Sequence, residues 1–382
     1  MQAKTPNHMG KTYRQSLVFW AACAGMLLFG ISFITLGAVT VPLKAKFELD
    51  DVASGTLFAI LPLGIIAGSM LFGPVADRYG YKWLLIASCV ALFIGFMGIA
   101  HAGSLALLKG AIFFFGFGGG AINGSTNAVV AIISDKNKVG NLSLLGVFYG
   151  LGALGMPFVL GSVQGAAPYE RIVDLVALLT LMVCAFFFLI RFPPPQQTTP
   201  FSLKAVREVF NKPVMVLIAG FLFLQMSLEA IVNNWTTNFL HGYHGLTERN
   251  ALFGLSLYVA GMTVMRILIG SVFRAFTEQR LLGISLVLLF AGSLILSVEV
   301  SFPVMVAGLI ALGAGMSTGI PLMLGIVGEL HKEKAGTAFS AVIVVGLLGN
   351  LLVNYVMGFV VERLGIAYFG YGLLAEWVLM LA

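Results

Sequence analysis

Long apolar runs broken by short polar segments fill the chain, and the period-two alternation of a half-buried strand is absent from them. Twelve runs are long enough to cross a hydrocarbon core of about 30 Å, which takes about 20 helical residues: 17–42, 54–75, 83–101, 105–133, 141–165, 172–191, 213–240, 250–273, 281–299, 303–329, 336–361 and 365–382. A membrane β-barrel would need alternating segments, so helices are the remaining way to satisfy every backbone polar group in lipid. The pattern predicts an all-α membrane protein of twelve transmembrane helices, with both termini on one side. Only one segment between runs is long and polar, Phe192 to Lys212. It opens on Pro193-Pro194-Pro195 and continues as an amphipathic pattern with Ser202 as N-cap and Val206 and Phe210 on one side. The predicted division is therefore an N-terminal six-helix bundle (1–191), a cytoplasmic linker with an amphipathic helix (192–212) and a C-terminal six-helix bundle (213–382).

Composition agrees: 59% of residues are hydrophobic and 10% charged, against about 45–50% apolar in soluble domains. The net charge of +6 is a topology signal. With the N-terminus inside, fifteen of the 22 Lys and Arg residues fall on the cytoplasmic side, six outside, and Arg266 within a span. The expected location is thus the inner membrane, multi-pass, with cytoplasmic termini, and no nucleic-acid partner is needed to explain the charge. The first run is too long for a signal-peptide core and is expected to be retained. Cys23, Cys89 and Cys184 sit inside apolar runs and read as packing residues.

Shifting the first half by 197 positions pairs Gly64 with Gly261, Gly73 with Gly270, Gly95 with Gly292, Gly116 with Gly313, Gly118 with Gly315, Gly152 with Gly349 and Gly161 with Gly358. About three such pairs would arise by chance, and no gap is needed from the second to the fifth run of each half. Parallel halves related by an axis along the membrane normal would place a cavity at their interface, near mid-membrane.

Between the second and third runs lies a charged knot, Gly73-Pro74-Val75-Ala76-Asp77-Arg78-Tyr79-Gly80-Tyr81-Lys82. Positive-inside placement explains Arg78 and Lys82 but not the acidic Asp77. The knot resembles the cytoplasmic loop signature of the major facilitator superfamily. That resemblance implies a transporter fold and a gating role for Gly73, Asp77, Arg78 and Gly80. The second-half counterpart, Gly270-Ser271-Val272-Phe273-Arg274, has Arg274 where Asp77 would be, so it is degenerate.

Polar side chains inside spans are the candidates for function. Glu229 lies mid-way along the seventh run, with Asn233, Asn234, Trp235 and Asn238 following. Amides and a carboxylate beside an indole suit a polyhydroxylated ligand. The fourth run adds Asn123 and Asn127 on one face, directly after a glycine-rich stretch. These features, with Gly150-Leu151-Gly152-Ala153 and Pro157 in the fifth run, resemble the fucose–galactose–proton symporter and glucose transporter group. The resemblance implies secondary transport of a sugar or sugar-like solute by alternating access. Group members tend to be acidic where Asn123 stands and polar where Gly146 stands. If transport is proton-coupled, Glu229 is consequently the candidate carrier; a uniporter, or coupling through another ion, is the competing reading.

Arg266, four residues before Gly270, is assigned to the gate, by snorkelling or by pairing with Glu229. An anion contact is its other reading, under which the chain would be an exporter or exchanger of an organic anion. A membrane sensor that kept the fold is the alternative outside transport. His241 and His244 lack a third ligand and read as gate packing, so no metal is expected. No P-loop, HExxH, GxSxG or CxxC motif occurs. The expectation is a non-enzymatic, cofactor-free monomer in membrane lipid whose partners are a small polar solute and H+.

Overall fold

The computed structural model describes residues 13–134, 138–194, 207–331 and 335–381. Twelve helices carry the fold: α1 (Gln15–Ala38), α2 (Asp51–Tyr79), α3 (Tyr81–His101), α4 (Leu105–Ile133), α5 (Lys138–Val163), α6 (Tyr169–Leu189), α7 (Pro213–Asn238), α8 (Glu248–Gly270), α9 (Glu278–Leu296), α10 (Phe302–Leu330), α11 (Ala335–Leu364) and α12 (Phe369–Leu381). Eleven are long and apolar enough to cross a membrane; α12 is shorter, at 13 residues, and follows a 3-10 turn at Ile366–Tyr368.

The boundaries follow from local chemistry. Side chains of Asp50, Ser104, Thr247 and Thr277 accept the orphan N–H groups at the starts of α2, α4, α8 and α9. Proline supplies the first turn of α7 and α10, where its missing N–H costs nothing. Two runs differ from their predicted extents. The first breaks at Val39 and resumes as a short helix, Thr40–Phe47. Pro42 lacks the N–H that a continuous helix would bond to Ala38. The seventh run passes from α7 into a π-helical turn, Phe239–Tyr243.

The charged knot also changes character. Helix α2 continues through Tyr79, so the connection to α3 is essentially Gly80 alone. Its φ of +80° and ψ of 164° belong to a region that only glycine occupies freely. Its N–H bonds to Ala76 O at 2.8 Å.

Packing repeats with a step of six helices. In the first half α4 packs on α2 and α3, α1 on α5 and α4, and α3 on α6. In the second, α10 packs on α8 and α9, α7 on α11 and α10, and α9 on α12. The two six-helix bundles meet along three seams: α2 with α11, α5 with α8, and α1 with α7.

Six of the seven glycine pairs found in the sequence sit at equivalent crossings; Gly73 has its packing outside the described residues, and a Cβ on Gly270 would meet nothing within 4 Å. A Cβ on Gly64 would come within 3.0 Å of Gly116 Cα in the α2–α4 crossing, and one on Gly261 within 3.1 Å of Ile310 Cα in the α8–α10 crossing. Gly161 and Gly358 occupy two of the three seams between bundles, α5–α8 and α2–α11, against Leu252 and Gly55. Absence of Cβ atoms lets these backbones approach where lipid provides no hydrophobic drive.

Candidate functional site

A cavity lies where the α1–α7 and α5–α8 seams meet, at the level of the middle of α7. Phe33 and Ile34 of α1 and Tyr149 of α5 face Glu229 and Asn233 of α7 and Thr263 and Arg266 of α8 across it. The helical repeat accounts for the pairing: Glu229 and Asn233 are one turn apart on α7, and Thr263 and Arg266 stack along α8. The cavity is about 10 Å³, at the lower limit for one water molecule.

Several polar atoms around it are buried and unpaired. Arg266 Nε, Asn233 Oδ1 and the Tyr258 hydroxyl have no hydrogen-bond partner among the described residues. The Arg266 guanidinium lies 6.0 Å from the Tyr149 ring centroid, within cation–π range. Glu229 is 6% exposed and interacts electrostatically with Arg266. No ion pair within 4.0 Å joins the two among the described residues. A buried guanidinium edge, an amide and phenolic hydroxyls can together surround a small anion, which accepts hydrogen bonds and has none to donate.

One face of the molecule is sealed. On the side where α2 begins, here the Asp51 face, three hydrogen bonds join the bundles. Thr237 Oγ1 donates to Gly37 O at 2.6 Å, Gln164 Nε2 to Glu248 Oε2 at 2.6 Å, and Asp51 N to Glu362 Oε2 at 3.3 Å. Aromatic contacts reinforce them, Trp235 on Phe58 at 5.3 Å and Phe158 on Phe253 at 5.7 Å. All lie between the cavity and the Asp51 face.

The sequence model of the Major Facilitator Superfamily matches residues 21–354. The chain belongs to the major facilitator superfamily. Among curated relatives of this superfamily transporter is a probable nitrate transporter, NarT, of Staphylococcus epidermidis, 24% identical over 342 residues and covering 87% of both chains. The NarT of Staphylococcus aureus strain N315 is 23% identical over 349 residues, 88% of each. Solved structures with the same fold include a mutant of the nucleoside transporter NupG (TM-score 0.78, 16% identity, 96% of this chain and 97% of that one). A D-xylose–proton symporter also matches (TM-score 0.77, 16% identity, 95% and 97%).

Within this major facilitator transporter the residues predicted to line the site are distributed over several places. Glu229 and Asn233 line the cavity. Asn234 and Trp235 are turned to the α7–α11 contact, where Asn234 Nδ2 and Trp235 Nε1 both donate to Asn354 Oδ1 at 3.2 Å. Asn354 in turn donates to Asn350 O and Oδ1 at 2.9 and 3.1 Å. Asn238 is half-buried beside Gly242 in the π turn. On α4, Asn127 Nδ2 donates to Asn123 O at 2.9 Å and Oδ1 at 3.0 Å, and neither residue lines the cavity.

The gate candidates divide similarly. The side chain of Asp77, and Gly73 with its packing, lie outside the described residues. Arg78 is exposed with its guanidinium 5.3 Å from the Tyr79 ring, and Gly80 makes the turn. Arg266 is in the cavity wall.

Sequence reasoning missed Tyr149, Thr263, Asn350 and Asn354. The Asn350/Asn354 pair has the same i,i+4 amide spacing as Asn123/Asn127 and was findable in the eleventh run. Nothing local to Tyr149 or Thr263 marks them, because their role comes from the α5–α8 seam.

Proposed function

We propose that the protein is a secondary transporter of a small inorganic oxyanion of the nitrate class, driven by alternating access and coupled to H+. The observation that carries this reading is the buried, unpartnered Arg266 Nε in the wall of the inter-bundle cavity. A guanidinium fork matches a planar oxyanion in two in-plane hydrogen bonds, and a buried one is a strong anion contact. The amide of Asn233 and the hydroxyls of Tyr149 and Tyr258 add donors. The names of the NarT relatives point the same way.

Glu229 supplies the coupling. As a carboxylate it repels an anion approaching Arg266; as a carboxylic acid it donates to one. Anion and proton therefore favour each other's binding by reciprocal linkage. The sugar expected from the amide-rich seventh helix has less support, because Asn234 and Trp235 are committed to Asn354. With positive-inside orientation the Gly80 face is cytoplasmic, the membrane is the cell's inner membrane, and the contacts across the Asp51 face close the outer side.

Counterflow in proteoliposomes tests the reading. Vesicles loaded with unlabelled nitrate should transiently accumulate labelled nitrate, and D-xylose-loaded vesicles should not accumulate labelled D-xylose. Sugar counterflow without nitrate counterflow would overturn it, and absence of any counterflow with nitrate, nitrite, sugars or organic anions would favour a sensor.

A further inference from the structure

A second buried carboxylate lies outside the central cavity. Glu376, in the short helix α12, is 7% exposed and sits in the contact of α12 with α7 and α9. Its Oε1 is 2.8 Å from Ser227 Oγ, and its Oε2 is buried with no hydrogen-bond partner. An ionised carboxylate in such a place is costly, and ionisable groups are kept within membrane helices chiefly where they act.

The hydrogens can be counted. Ser227 Oγ lies 2.8 Å from Glu376 Oε1 and also 2.9 Å from Leu224 O of its own helix. A serine hydroxyl has one hydrogen and two lone pairs. If that hydrogen goes to the Leu224 carbonyl, which has none to give, the contact with Glu376 is a hydrogen bond only when Glu376 is the donor. Both bonds reach full two-centre strength only if Glu376 carries a proton; a carboxylate has to share the one hydrogen with the Leu224 carbonyl. Removing the proton draws the Ser227 hydrogen toward the carboxylate, the stronger acceptor, and weakens its bond to Leu224 O.

No neighbouring charge offers an alternative partner. Helix α7 has one charged residue, Glu229, which faces the cavity about 200° around the helix from Ser227. Helix α9 has Glu278 and Arg280 in its first turn, both exposed. Near Glu376, α9 instead accepts a hydrogen bond from Trp377 Nε1 at Leu286 O, 2.8 Å. The 3-10 turn before α12 contributes only the exposed Tyr368. Among the described residues Glu376 makes no ion pair.

We propose that Glu376 and Ser227 form a second proton site, separate from the central cavity, that binds and releases one H+ in each transport cycle. The link to transport is α7 itself, which bears the cavity carboxylate on one face and Ser227 on the other. Loss of the Glu376 proton changes the hydrogen bonding of the α7 backbone at Leu224, five residues before Glu229. The site extends the anion–proton reading, but its protonation can be measured without any cargo.

The experiment has two arms. Infrared difference spectra of the full-length protein in lipid, between high and low pH, should show the C=O band of a buried protonated carboxyl that Glu376→Gln removes. An unchanged band in Glu376→Gln overturns the proton site whatever the protein carries. In the second arm, reconstituted protein is assayed with nitrate. Glu376→Gln should keep nitrate–nitrate exchange at equal pH while protons moved per nitrate, read with a pH dye, fall by one.

An unchanged proton count overturns the coupling role. If wild type moves no nitrate, the cargo reading fails while the infrared arm still decides the site. Should Glu376→Gln fold poorly, Ser227→Ala takes its place: the carboxyl band should remain and shift in frequency, because its hydrogen-bond acceptor is gone. A band at the wild-type frequency in Ser227→Ala overturns the pairing.

Discussion

Replacing Asn354 with leucine tests whether the amides and indole of α7 are structural. Asn354 is fully buried, and its Oδ1 accepts from both Asn234 Nδ2 and Trp235 Nε1 at 3.2 Å. Leucine keeps the branch at Cγ but is bulkier than asparagine, so the substitution removes the acceptor without opening a cavity, and any overpacking adds to the loss. It orphans two donors in a buried seam. An unpaired buried donor costs about 1–3 kcal/mol, while interhelical hydrogen bonds inside membranes average about 0.6 and reach about 1.7 kcal/mol. Two donors at the overlap of these scales, about 1–1.7 kcal/mol each, give a loss of about 2–3.4 kcal/mol.

The comparison variant is Asn350→Ala. It removes one side-chain acceptor but leaves the Asn350 carbonyl for Asn354 Nδ2, so it should cost less than about 1 kcal/mol. Unfolding by SDS titration in mixed micelles, followed by tryptophan fluorescence, measures both. Equal stability of Asn354→Leu and wild type, within about 0.5 kcal/mol, would refute the hub and free Trp235 to be a ligand-stacking ring.

Other substitutions test the site, the seal and the turn. Arg266→Lys keeps the charge but not the fork; losing one charge-assisted hydrogen bond of about 1.5–3 kcal/mol should weaken nitrate binding about 10- to 150-fold, read by titration calorimetry. Thr237→Val removes the bond to Gly37 O across the sealed face. At about 0.6–1.7 kcal/mol it should shift the population toward the outward-facing state about 3- to 20-fold. Faster labelling of Phe33→Cys by an impermeant maleimide from the Asp51 side would show this, and an unchanged rate would argue against the seal. Gly80→Ala forces a side chain into a backbone region reserved for glycine and should destabilise by about 1–3 kcal/mol. A melting midpoint equal to wild type would show that the α2–α3 turn adapts.

Much of the fold was legible because lipid makes the rules local. A run of apolar residues long enough to span must be a helix, and each such run announces itself without reference to any other. The glycine repeat was legible for a related reason. Close backbone approach needs a missing Cβ at a given depth, and duplicated halves put Gly64 and Gly261, or Gly116 and Gly313, at the same crossing. Within the site, Glu229 stood out because a carboxylate in a span is rare and expensive.

What stayed hidden was direction. Asn233, Asn234 and Trp235 are consecutive on α7, and only packing determines that the first faces a cavity while the next two bond to α11. Arg266 looked like a residue that could reach water, yet the α5–α8 seam holds it against Tyr149. Glu376 gave no sign of its partner, since Ser227 lies 149 positions away.

The sequence by itself therefore determined the membrane, the helix count, the twofold architecture and one central carboxylate. These depend on the hydropathy and periodicity of single segments. The tertiary structure decided which face of each helix meets the other bundle, which end is sealed, and that an arginine shares the cavity with Glu229. Such facts depend on rotation of a helix about its own axis. In a span that is apolar all round, composition leaves that rotation free, and contacts with neighbouring helices set it.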